Sequence, residues 1–119
     1  MKRKSIYLTL IVLAGLSIIY SCSSNKAKVN PTTPTPAATV AIQNFAFVPA
    51  TVTIKVGSSV TWTNMDTAPH TATDLANAFD SGSLTTGQTF NFTFNTTGTF
   101  TYHCLIHSMM KTAVVTVTN

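Results

Sequence analysis

Charged side chains are few: 8% of the 119 residues, where an ordinary soluble domain carries roughly 25%. The basic stripe that a nucleic-acid partner requires is missing, so that class of partner is excluded. Also missing is an apolar run of the about 20 residues that cross a bilayer, which excludes a multi-span membrane protein although hydrophobic residues reach 45%. No stretch has a sustained helical period, and only Thr73 to Phe79 is read as one irregular turn. With two cysteines, Cys22 and Cys104, the chain can form at most one disulfide. Its length sets the ceiling at one small domain.

What charge there is lies largely at the start. Lys2, Arg3 and Lys4 precede an apolar run from Ile6 to Tyr20, the basic and hydrophobic regions of a secretory signal over residues 1–21. An uncleaved anchor is the alternative, and the run is short for it. Cleavage takes away three of the seven basic residues and lowers the formal net charge from +4 to +1. At the junction, Ile19-Tyr20-Ser21-Cys22 resembles a bacterial lipobox, with Tyr20 departing from the usual small residue, so Cys22 is the expected site of lipidation. A disulfide from Cys22 to Cys104 is the competing use of the same thiol. Residues 22–38, with Pro31, Pro34 and Pro36 among serines, threonines and alanines, have the composition of a tether. These features predict an exported domain of the periplasm or cell envelope, held to a membrane by lipid.

From Thr39 to Asn119 the pattern is that of short strands. Val40 and Ile42 alternate with polar or small neighbours, as do Val52, Ile54 and Val56, then Val60 and Trp62. Phe90, Phe92 and Phe94 follow, then Phe100, Tyr102 and Cys104 on one face, then Val115 and Val117. Abundant threonine suits pleated surfaces and keeps outer faces soluble without charge. Seven or eight such strands predict an all-β sandwich or small barrel. A core of this size is close to the minimum, and a bound metal would add stability.

The chemistry concentrates in Thr101-Tyr102-His103-Cys104-Leu105-Ile106-His107-Ser108-Met109-Met110-Lys111. Cys104 ends a predicted strand, Cys-x-x-His spacing brings His107 beside its thiolate, and Met110 returns the chain over the same point. His70 lies in a separate loop after Trp62-Thr63-Asn64. One thiolate, two imidazoles and a thioether match the His2Cys set with a weak axial Met that is used by blue-copper electron-transfer sites. Strand alternation sends His103 to the face opposite Cys104. Met109 competes with Met110 for the fourth place, and loop length favours Met110.

These residues, together with Gly57, Asp80-Ser81-Gly82 and Gly98-x-Phe100-x-Tyr102-x-Cys104, resemble the cupredoxin family, and Cys-x-x-His-x-x-Met is similar to the short loop of its plastocyanin/amicyanin-like members. The resemblance implies a Greek-key β-sandwich over residues 39–119 and one type 1 (blue) copper ion cycling between Cu(I) and Cu(II). It further implies His70, Cys104 and His107 as equatorial ligands and Met110 as the axial one. Asn64 is implied in hydrogen bonding between the ligand loops. The implied role is that of a monomeric electron carrier between redox proteins rather than an enzyme. Partners are expected to dock on apolar residues near His107, for which Met65, Ala68, Pro69, Ile106 and Met109 are candidates. Amicyanin-like loops carry Pro before and after the second His, where this chain has Ile106 and Ser108.

Other readings use the same residues. Zinc accepts thiolate and imidazole, but structural zinc sites draw four ligands from Cys and His, and the domain has one Cys. A cysteine hydrolase needs an orienting group and an oxyanion hole, and no motif supplies them. An envelope copper-delivery protein, without a redox role, would use the same ligands, and a surface interaction module would need none of them. The loop without prolines is expected to let protonated His107 leave Cu(I) in acid. Voltammetry tests this, since a reduction potential that stays constant down to about pH 4 contradicts it.

Overall fold

The computed structural model describes residues 37–119; the expected signal segment, Cys22 and most of the expected tether lie outside the described residues. Eight strands follow in order: β1 (Ala38–Gln43), β2 (Ala46–Val48), β3 (Thr51–Lys55), β4 (Ser59–Asn64), β5 (Thr73–Asp74), β6 (Thr89–Thr93), β7 (Gly98–His103) and β8 (Ala113–Thr118). They form two four-stranded sheets with the orders β2-β1-β4-β6 and β3-β8-β7-β5. Both are mixed: β1 runs parallel to β4 and β3 parallel to β8, and the remaining neighbours are antiparallel. Because β3 leaves the sheet of β1 and β2 and β4 returns to it, the chain crosses between layers as a Greek-key sandwich does. No helix occurs among the described residues. The predicted all-β Greek-key sandwich is the observed fold.

The period-two pattern explains the layers. In β3, Val52 and Ile54 are buried while Thr51, Thr53 and Lys55 are exposed. Register places Val52 opposite Val115 and Ile54 opposite Val117, so apolar residues of neighbouring strands meet on the inner face. Val40, Ile42, Val60 and Trp62 supply the facing layer. The Trp62 indole is fully buried at the centre, 5.1 Å from the ring of Phe79, 5.6 Å from Phe90 and 5.5 Å from Tyr102.

Two local expectations change. Val56 is exposed rather than inward, because β3 ends at Lys55 and Gly57, at φ +84°, turns the chain. The segment 73–79 is a two-residue strand followed by a turn, not a helical turn. Asp74 Oδ2 accepts hydrogen bonds from the backbone N–H groups of Ala76 and Ala78, both at 3.0 Å, and the turn delivers Phe79 into the core.

Burial pushes the Tyr102 phenol up to about 12, against a smaller downward effect of the nearby Trp62 indole. Its hydroxyl has no hydrogen-bond partner of normal geometry. The folded value lies above that of an unfolded tyrosine, about 10, so this contribution to stability is complete below pH 10 and is lost as pH rises toward about 12. Tyr102→Phe should therefore leave stability at pH 7 within about 1 kcal/mol of the parent, and make unfolding less sensitive to alkali between about pH 10 and 12. Denaturant titrations at pH 7 and across about pH 10 to 12 measure both effects.

Candidate metal centre

Two loops converge at one end of the sandwich. The first leaves β4 at Asn64 and reaches His70; the second leaves β7 and carries Cys104, His107 and Met110 before β8. His70 is pinned by a two-way backbone bridge to Leu84, with N–H···O distances of 3.1 and 2.7 Å. Buried Asn64 braces the same loop: its amide donates to the carbonyls of Ala68 and Leu84, both at 2.8 Å, and its oxygen accepts from Asp66 N–H at 2.9 Å.

The result is a close cluster of three groups that could hold a metal ion, His70, Cys104 and His107. Cys104 Sγ lies 3.6 Å from His70 Nδ1 and 3.7 Å from His107 Nδ1, and the two nitrogens are 3.2 Å apart. A point equidistant from these three atoms is about 2.0 Å from each, the length of a bond from imidazole to a first-row metal ion, roughly 2.0–2.1 Å. His70 and Cys104 are buried and His107 is half-buried, so the cluster reaches the surface through His107. Met110 is buried, and its N–H donates to the His107 carbonyl at 3.0 Å; Met109 is 87% exposed. His103, in register with Thr73, is half-buried and outside the cluster.

Asp66 sets the chemistry of His70. Its Oδ2 is 3.0 Å from His70 Nε2 and accepts from Phe45 N–H at 2.9 Å, while Oδ1 accepts from Asn44 N–H at 2.7 Å. An ionised carboxylate only accepts, so the His70 proton sits on Nε2 and the Nδ1 lone pair is left facing the sulfur. The Phe45 amide foremost, then the Asn44 amide and the His70 ring, hold the Asp66 carboxyl below the usual range against the opposing effect of burial.

Thr71 joins the two loops. Its N–H donates to Cys104 Sγ at 3.4 Å, and its hydroxyl accepts from Leu105 N–H at 2.9 Å. That hydroxyl is also 3.0 Å from the Thr73 hydroxyl, which donates to Asp80 Oδ1 at 2.9 Å. Asn64 thus braces the His70 loop against Leu84, and the link between the two loops runs through Thr71. Sequence reasoning missed Thr71, although its place directly after His70 was a signal. It missed Asp66 too, a carboxylate four residues before a candidate ligand. Phe45 had no local signal.

Thr71→Val keeps the side-chain shape and the N–H···S bond but leaves Leu105 N–H without its acceptor. The expected loss is about 1 kcal/mol, read as a lower denaturation midpoint of the metal-free protein.

Comparison with known proteins agrees with the geometry. The family described as copper binding proteins, plastocyanin/azurin family, matches residues 35–118. The chain is 31% identical to amicyanin-alpha of Methylorubrum extorquens over 108 residues, 87% of this chain and 91% of that protein. It is 30% identical to the amicyanin of Paracoccus versutus over 98 residues, 78% of this chain and 74% of the relative. Among solved structures, a purple cupredoxin from Nitrosopumilus maritimus superposes with a TM-score of 0.63 at 30% identity, covering 68% of this chain and 99% of that one. With its sandwich, its Cys-His-His cluster and these relatives, the chain belongs to the plastocyanin/azurin family of copper-binding proteins, the cupredoxins, and its cofactor is a single copper ion.

Proposed function

We propose that the protein is a blue copper electron carrier of the bacterial cell envelope, in which His70, Cys104, His107 and Met110 would hold the copper ion. The observation that carries this reading is the triangle of Sγ and two Nδ1 atoms with edges of 3.2 to 3.7 Å. Bound copper supplies a one-electron couple between Cu(II) and Cu(I). The protein's part is to hold the donors in one arrangement through both states. Asp66 keeps His70 in the tautomer with a free Nδ1. Thr71 N–H directs a dipole at the Cys104 sulfur, a contact that raises the potential of such sites by stabilising electron density on the thiolate.

Half-buried His107 is the route to the surface, and exposed Phe45, Met65, Leu105, Ile106 and Met109 belong to the hairpin and loops that build the centre. Of the other residues expected to take part in docking, Pro69 is exposed and Ala68 is half-buried. With a net charge of +1 after loss of residues 1–21, long-range steering of a redox partner is weak and apolar contact carries the docking. Residues 1–21 act as the signal, lipid on Cys22 holds the protein to a membrane, and the segment up to residue 38 lets the monomeric domain reach a donor and an acceptor.

Addition of Cu(II) to the metal-free protein should give an intense visible thiolate-to-copper band and an EPR spectrum with narrow copper hyperfine splitting. Both should vanish in Cys104→Ser. An ordinary tetragonal copper signal that is indifferent to Cys104 would overturn the assignment. Cys22→Ser should release the protein from the membrane fraction, and mass spectrometry of the parent should find acyl chains on Cys22.

A further inference from the structure

The turn between β1 and β2 has an unusual occupant. Gln43 pairs with Ala46, so Asn44 and Phe45 alone make the turn, at φ +53° and +55°. Two-residue turns with positive φ at both positions favour Asn then Gly. Asn44 fits; Phe45 puts a large side chain in a left-handed conformation that glycine would occupy freely. A strained residue persists where its surroundings over-determine it. Here they do: both turn amides donate to Asp66, the carboxylate that also accepts from His70 Nε2.

The strained residue carries its ring to the metal centre. The Phe45 ring centroid is 5.2 Å from that of His70 and 5.0 Å from that of His107, with interplanar angles of 83° and 84°. Both contacts are T-shaped, the favoured arrangement of aromatic pairs. Phe45 is 47% exposed, so it lies against the imidazoles at the surface instead of filling the core. His107 stands between Ile106 and Ser108 in a loop without proline, and Phe45 reaches it from a hairpin more than 60 positions away in sequence.

We infer that Phe45 is a positioning residue for the copper centre: held over the site by Asp66, its ring restrains His107 against His70 and slows the departure of His107 from reduced copper. The restraint that the loop's own residues lack is thereby supplied from another part of the chain. This inference rests on the copper reading above.

Phe45→Gly separates positioning from a merely structural role, because glycine suits the left-handed turn while removing the ring. In the full chain loaded with copper, Phe45→Gly should transfer Cu(I) to excess bathocuproine disulfonate about tenfold faster than the parent, the factor that corresponds to one such aromatic contact. Its reduction potential should rise, since a looser His107 favours the lower coordination that Cu(I) accepts. The unfolding midpoint of metal-free Phe45→Gly should equal or exceed that of the parent, and Phe45→Tyr should restore both the parental transfer rate and potential. A Phe45→Gly protein that keeps the blue band, the parental potential and the parental transfer rate would overturn the inference. A parent without the blue band would instead overturn the copper reading, and the inference with it.

Discussion

One carboxylate holds three donors that come from two distant parts of the chain. Asp66 accepts from the amides of Asn44 and Phe45 in the β1–β2 turn and from the ring of His70 in its own loop. A carboxylate has room for about four hydrogen bonds, and three N–H groups filling most of it leave Asp66 little freedom to rotate. The turn, the first imidazole and its tautomer are therefore set together. Other features of the centre follow from that arrangement: Nδ1 of His70 is free to face Cys104, and the Phe45 ring lies across both imidazoles.

The sandwich makes this arrangement rigid enough to be useful. Trp62, Phe79, Phe94 and Tyr102 fill the space between the sheets, and β4 and β7 carry the two ligand loops away from that packed centre toward the same end. Thr71 then closes the gap between the loops with one bond to the sulfur and one to the Leu105 amide. Donor atoms held at 3.2 to 3.7 Å from one another need little movement to take up an ion. An electron carrier benefits from the same property, because a site that does not rearrange between oxidation states exchanges electrons with a small reorganisation energy. Binding one ion at this end of the domain also adds stability to a core of modest size.

Scarce charge has a consequence here as well. The domain's acidic residues are Asp66, Asp74 and Asp80, and each accepts at least one hydrogen bond inside the fold. Threonine takes over much of the polar work elsewhere, outward on the strands and inward at Thr71 and Thr73. A hydroxyl can be buried beside the centre and satisfied by neighbours without bringing in a net charge that would alter the energy difference between the two copper states.

The strands were legible because side chains alternate with period two: Val52 and Ile54, Val115 and Val117, and Val60 and Trp62 show their inner face in the sequence alone. Cys104 and His107 were legible for a similar reason, since three positions in a tight loop bring thiol and imidazole together whatever the surroundings. Where a strand stops is decided by less regular features, and Val56, just beyond β3, points outward although it continues the pattern. The sequence by itself therefore determined the sandwich, the residue types of the Cys-His-His cluster and the family resemblance, all of which rest on local periodicity and short spacing. Only the tertiary structure decided which atoms of those groups face one another, that Asp66 sets the His70 tautomer, that Thr71 bridges the loops and that Phe45 stands over both imidazoles. Those contacts join residues that are distant in the chain, and their distances depend on how two sheets pack and where two loops cross, information that no single stretch of sequence contains.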